Sequence, residues 1–252
     1  MIGYKTIIIA VLIGVVPALI ISWWFLRGNI YRRGLGVKLL FTVFFWGVLT
    51  AIPASILQIV NIENGGGNYF IELFQKLNIF NNNYFISRIV VPLIIVAIIE
   101  ETTKGLGVLL SLKSFSKSER ASKLKINPGL VAGIMIGLAF GVTENGVYFA
   151  NNFNIQSSNN LATLIILRFI LSTSAHMIYT GLFGAFLVDA MIAKQVFGKV
   201  FKIILAFIIP IFIHTVFNIL VSTEYGLFAV PLIITGVVLL AFKAFWPLTK
   251  IE

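Results

Sequence analysis

Residues 85–112 read FISRIVVPLIIVAIIEETTKGLGVLLSL. A helix needs about 20 mostly apolar residues to cross the hydrocarbon core of a bilayer. Phe85–Leu112 is long enough, yet it carries Glu100, Glu101 and Lys104 in its middle. Outward from this stretch, six more apolar segments follow the same pattern: Thr6–Phe25, Leu39–Val60, Leu130–Ala150, Leu161–Ile192, Ile203–Ser222 and Leu227–Trp246. The pattern predicts an all-α, polytopic transmembrane helix bundle of about seven spans, with residues 1–252 forming a single integral-membrane domain. Composition agrees: 59% of residues are hydrophobic and 11% charged, and the mean hydropathy is +1.00. Soluble domains carry about 25% charged residues, so a soluble globular fold is excluded. Leu161–Ile192 is the longest segment, long enough to be tilted, kinked or broken.

The excess of 19 Lys+Arg over 9 Asp+Glu is mostly a topology signal. Fourteen of the basic residues sit in alternate connections: Arg27, Arg32, Arg33 and Lys38; Lys113, Lys117, Arg120, Lys123 and Lys125; Lys194, Lys199 and Lys202; Lys243 and Lys250. The opposite connections hold only Lys76. By the positive-inside rule the N-terminus lies outside and the C-terminus in the cytoplasm, in a plasma membrane of prokaryotic type. A nucleic-acid role is not expected, because no folded domain remains to carry it. The first segment is long, most nearby basic residues follow it rather than precede it, and no small-residue cleavage site ends it, so it is expected to stay in place. Residues 61–84 follow a glycine run with Phe70, Ile71, Leu73 and Phe74, which suggests a short interfacial helix. The chain has no Cys, which excludes thiolate metal sites, disulfides and cysteine nucleophiles.

Charged groups at mid-bilayer cost at least a few kcal/mol each. Lipid-facing bundles should therefore lack them, but this chain has Glu100, Glu101, Lys104, Glu144, Arg168, His176 and His214 inside its segments. At 1.5 Å per residue, Glu144 lies about 21 Å and His214 about 16 Å from the inner ends of their spans. Glu100 and His176 lie about 22 Å from the outer ends of theirs. These depths match, and they predict one polar cavity near mid-membrane. Glu100 and Lys104 are i,i+4 neighbours, as are His214 and Asn218. Asp189 sits near a cytoplasmic end and can reach the interface.

Three carboxylates and two imidazoles at one depth allow two chemistries. Two His and a Glu can hold Zn2+ and leave a position for water, with a second Glu as general base. Without metal, a Glu can activate water directly while His and Asn donate to the oxyanion. Each group has a plainer reading by itself. A buried Glu–Lys pair can be structural glue, Asn218 an interhelical hydrogen bond, and Arg168 a partner for a carboxylate. Gly133, Gly137 and Gly141 form a packing face. Intramembrane Glu and His also build proton relays, so a proton- or ion-coupled transporter is the alternative. A non-catalytic scaffold or immunity protein of the same fold is a third.

At these residues the sequence resembles the PrsW family of intramembrane proteases, within the superfamily of CAAX prenyl endopeptidases and bacteriocin-immunity-type proteins. Glu100-Glu101-Thr102-Thr103-Lys104 matches the family's EExxK. Phe140 through Glu144-Asn145 matches FxxxEN, Arg168…His176…Gly181 resembles a third stretch, and His214 through Asn218 matches HxxxN. The resemblance implies hydrolysis of peptide bonds within the membrane. It makes Glu100 the water-activating base, with Glu101 as partner or substitute. Glu144, His176 and His214 become metal ligands or transition-state stabilisers, and Asn218 supports the oxyanion. Lys104, Asn145 and Arg168 are supporting residues. Implied substrates are single-span membrane proteins such as an anti-sigma factor. The family has an acidic-proline stretch where this chain has Asn29–Arg33, and an aspartate where it has Asn127-Pro128-Gly129.

Overall fold

A computed structural model describes residues 37–63, 91–116, 127–152, 168–223 and 225–245. Within them the chain is helical, with no strand. The elements are α1 (Val37–Glu63), α2 (Val91–Ser116), α3 (Pro128–Asn152), a π-helical turn (Arg168–Ser172), α4 (Thr173–Met191), α5 (Val196–Val221), a 3-10 turn (Gly226–Phe228) and α6 (Ala229–Phe245). Each lies within or across one of the expected apolar segments. Four stretches among the described residues are long and apolar enough to cross a membrane: Lys38–Leu57, Pro128–Phe149, Ile170–Met191 and Val196–Val221. The middle of α2 is interrupted by charge, and Gly226–Leu240 is an apolar stretch of shorter length. The segment Thr6–Phe25 and the suggested interfacial helix fall outside the described residues.

Several helix ends fall a few residues from the sequence reading, and one start falls further. Helix α5 begins at Val196, seven residues before Ile203, so Lys199 and Lys202 are helical. Their ammonium groups did not stop the helix, because lysine is a good helix former when its head can reach a polar boundary. Within Leu161–Ile192, the break is the π turn at its described start, after which α4 runs on to Met191.

Helices α3 and α4 form the interior of the bundle, while α1 and α5 leave most of their surface outward. The reason is side-chain size. A Cβ added at Gly133 or Gly137 would collide with the backbone carbonyl of Thr180 or His176. Only glycine lets α3 press its backbone directly onto α4. Close packing of this kind matters where lipid tails are as apolar as leucine and burial drives little association. Asn127 fixes the start of α3. Its Oδ1 accepts from the N–H of Gly129 and Leu130, at 2.9 and 3.3 Å. This is an N-cap. Its Nδ2 donates to the Ala185 carbonyl at 3.1 Å, tying the cap to α4. Two core clusters flank the pair, one around Val43, Val108, Ile136 and Phe183, the other around Ile178, Leu182 and Phe217.

Candidate active site

Helix α2 presents Glu100, Glu101 and Lys104 to the bundle interior. The Lys104 ammonium has three N–H donors, and all three are used. They go to Glu100 Oε2 at 3.1 Å, Glu101 Oε1 at 2.8 Å and His176 Nδ1 at 2.8 Å. The Phe140 ring of α3 lies beneath the ammonium, 4.1 Å from Nζ to its centroid. Lys104 and Glu101 are 0% exposed, His214 2%, His176 4% and Glu100 5%. Burying charge costs several kcal/mol per ion, and ion pairs seldom repay it with stability. Such a cluster tolerates the loss of one member badly, because the charge left behind is buried and uncompensated.

Each imidazole is held by a carboxylate at one nitrogen and turns the other towards Glu100. His176 Nε2 donates to Glu144 Oε2 at 2.7 Å, and its Nδ1 lies 3.9 Å from Glu100 Oε2. His214 Nδ1 donates to Glu101 Oε1 at 2.8 Å, and its Nε2 lies 3.8 Å from the same Glu100 oxygen. Carboxylate–histidine pairs of this form fix the tautomer and orientation of metal-ligating imidazoles.

Glu144 is anchored from outside the cluster. Arg168, in the π turn, donates from NH2 to Glu144 Oε1 at 2.9 Å and from Nε to Asn145 Oδ1 at 3.0 Å. Its guanidinium stacks on Tyr148, with Cζ 3.9 Å from the ring centroid. Asn145 Nδ2 in turn donates to Thr173 Oγ1 at 3.0 Å. The spacing of Phe140 and Glu144 explains itself here. As i,i+4 neighbours, one lies under Lys104 and the other reaches His176.

A cavity of about 810 Å³ opens onto this cluster. Glu100, Glu144, His176, His214, Asn218 and Arg168 all line it. The residues singled out in the sequence thus converge, with Glu101, Lys104 and Asn145 packed behind. The grouping of metal donors differs from the expected one. Donor atoms of Glu100, His176 and His214 lie within 4.8 Å of one another. Glu144 stands behind His176 instead of beside it. Depth along a helix could not distinguish the two glutamates, because it leaves the direction around the axis open. Two imidazoles and a carboxylate match a zinc donor set. Lys104 shares Glu100 and His176, so an ion held by both would displace the ammonium towards Glu101.

The sequence reading missed Tyr179. Its ring stacks on His214, centroids 4.9 Å apart, and lies edge-on to His176 at 6.2 Å. It also lines the cavity. Its position three residues after His176 puts it on the same helix face, which was the signal available.

The chain is 25% identical to the protein named Protease PrsW from Clostridioides difficile (strain 630), over 91% of this chain and 85% of that one. No solved structure matches it significantly. The model of the PrsW family of intramembrane metalloproteases matches residues 36–246, and the cluster of Glu100, His176 and His214 lies inside that match. This chain belongs to the PrsW family and is an intramembrane protease.

Proposed function

We propose that the chain hydrolyses a peptide bond of a single-span membrane protein, with Glu100 as the base. One observation carries this reading: Glu100 is the carboxylate that both lines the cavity and faces the two oriented imidazoles. Glu100 takes a proton from water, the water oxygen attacks the scissile carbonyl, and the proton then passes to the leaving amine. Asn218 offers an amide donor to the carbonyl oxygen at the cavity wall, while His176 Nδ1 and His214 Nε2 face Glu100 as the nitrogens that could hold a cation. Glu101 and Glu144 orient the imidazoles. Lys104 donates a hydrogen bond to each of Glu100 and Glu101.

Glu100, His176 and His214 are the residues that would hold Zn2+. Bound there, the ion would lower the pKa of a water and polarise the carbonyl. A carboxylate has two oxygens, so Glu100 as a ligand would still have an oxygen able to accept a proton.

The same reading has the chain as one integral-membrane domain over residues 1–252 with seven spans, its cavity near mid-membrane. The plasma membrane of a prokaryote is the proposed location, N-terminus outside and C-terminus cytoplasmic. The clustering of the start of α3, the end of α4 and Lys202 supports the common cytoplasmic end. Lys202 Nζ donates to the Asp189 carbonyl at 3.2 Å. An anti-sigma factor is the proposed type of substrate. The test is to incubate purified wild type, Glu100→Gln and His214→Ala with a panel of single-span proteins. Fragments from wild type alone are expected. Equal fragment yields from all three would overturn the reading. Zinc content of the wild-type sample, and cleavage after chelation, separate the two mechanisms.

A further inference from the structure

We infer that Tyr179 is a further catalytic residue, whose phenol donates a hydrogen bond to the oxyanion formed on the scissile carbonyl. The inference rests on the peptide-hydrolysis reading and extends it. Tyr179 is 1% exposed, and its hydroxyl has no hydrogen-bond partner among the described residues. Leaving a buried hydroxyl unpaired carries its full desolvation cost, so buried tyrosines usually find a partner. This one lines the same cavity as Glu100, His176 and His214. Its ring is held by the His214 stack and by the edge contacts to His176 and Phe217, at 6.2 Å each. Those contacts fix where the hydroxyl stands, closed off from solvent beside the cavity. A fixed donor in an apolar site is what stabilises charge that develops only in the transition state.

The step balances without an added reagent. Water gives a proton to Glu100 as its oxygen bonds to the carbonyl carbon, and the carbonyl π electrons move onto oxygen. Tyr179 donates a hydrogen bond to that oxygen and keeps its proton. On collapse the C–N bond breaks, the carbonyl re-forms, and the amine takes the proton from Glu100. Tyr179 acts beside Asn218, which reaches the cavity from α5.

The test uses quenched-fluorescent peptides, each one apolar span of about 20 residues flanked by lysines, in detergent micelles with the purified full chain. Tyr179→Phe keeps the ring and its stack on His214. Its kcat should fall about 100- to 1000-fold, the usual cost of losing one oxyanion donor, with KM within about twofold. 3-Fluorotyrosine at position 179 retains the hydroxyl and should restore kcat to within about tenfold of wild type. The inference is overturned if Tyr179→Phe matches wild-type kcat, if only KM changes, or if fluorotyrosine is as slow as phenylalanine. Glu100→Gln in the same assay separates the two levels. Wild type no faster than Glu100→Gln sinks peptide hydrolysis and the Tyr179 role with it. Active wild type, inactive Glu100→Gln and fully active Tyr179→Phe sinks the Tyr179 role alone.

Discussion

At the scale of single residues, Lys104 has the largest consequence per atom. Its ammonium contacts Glu100, Glu101 and His176 together. Lys104→Met fills the space but removes the ammonium that Glu100 and Glu101 share, which costs about 3–5 kcal/mol. A lowered Tm in detergent, together with lost cleavage, is the expected result. A Tm equal to wild type would show that the ammonium does not hold the cluster. Glu101→Gln keeps the shape and weakens the support of His214 Nδ1. Loss of such a supporting carboxylate typically costs about 10- to 100-fold in activity or metal affinity. Cleavage assays and zinc titration of the purified variant measure it. Much of this was legible in the sequence, because i,i+4 spacing alone placed Glu100 beside Lys104. The partners across helices were not. That Glu101 holds His214, that Glu144 holds His176, and that Tyr179 stacks on His214 all depend on how helices are rotated about their axes. Sequence fixes the angle between residues on one helix and says nothing of the angle between two helices. An aromatic such as Tyr179 also looks like any packing residue until its neighbours are known.

At the scale of elements, the contact between α3 and α4 sets the position of His176. Gly137 faces the backbone carbonyl of His176 itself, and an added Cβ has no room. Gly137→Val should push α4 outward and misplace the imidazole. Both the Tm and the cleavage rate should drop. Gly146 is the internal comparison, since nothing lies within 4 Å of a Cβ placed there. Gly146→Ala should change the unfolding free energy by no more than about 1 kcal/mol, the scale of glycine's helix penalty. If both substitutions behave alike, close approach at Gly137 is not what seats α4. The small-residue face was visible as Gly133, Gly137 and Gly141 in sequence. The early start of α5 was not, because hydropathy stops at Lys202 while the helix does not.

At the scale of the whole molecule, topology and metal can both be tested on the intact chain. The absence of cysteine makes single introduced thiols clean probes of sidedness. Gln195 follows α4 and Tyr225 follows α5, so they belong to opposite ends of the bundle. Gln195→Cys should react with an impermeant maleimide only after the membrane is opened, and Tyr225→Cys in intact cells. The reverse labelling would invert the orientation read from the lysines. If zinc binds the folded chain, a chelator should lower the Tm by removing the binding term, and added Zn2+ should restore it. An unchanged Tm on chelation, with cleavage intact, would favour the glutamate-only route.

The polar contacts also form one continuous thread. It runs from His214 on α5 through Glu101 and Lys104 on α2 to His176 on α4, then through Glu144 on α3 to Arg168. Helices in lipid gain little from apolar contact with each other. The thread therefore acts as a clasp of the bundle as well as the proposed reaction centre. A descendant that abandoned proteolysis could not simply discard these side chains; it would first have to knit the four helices together by other means.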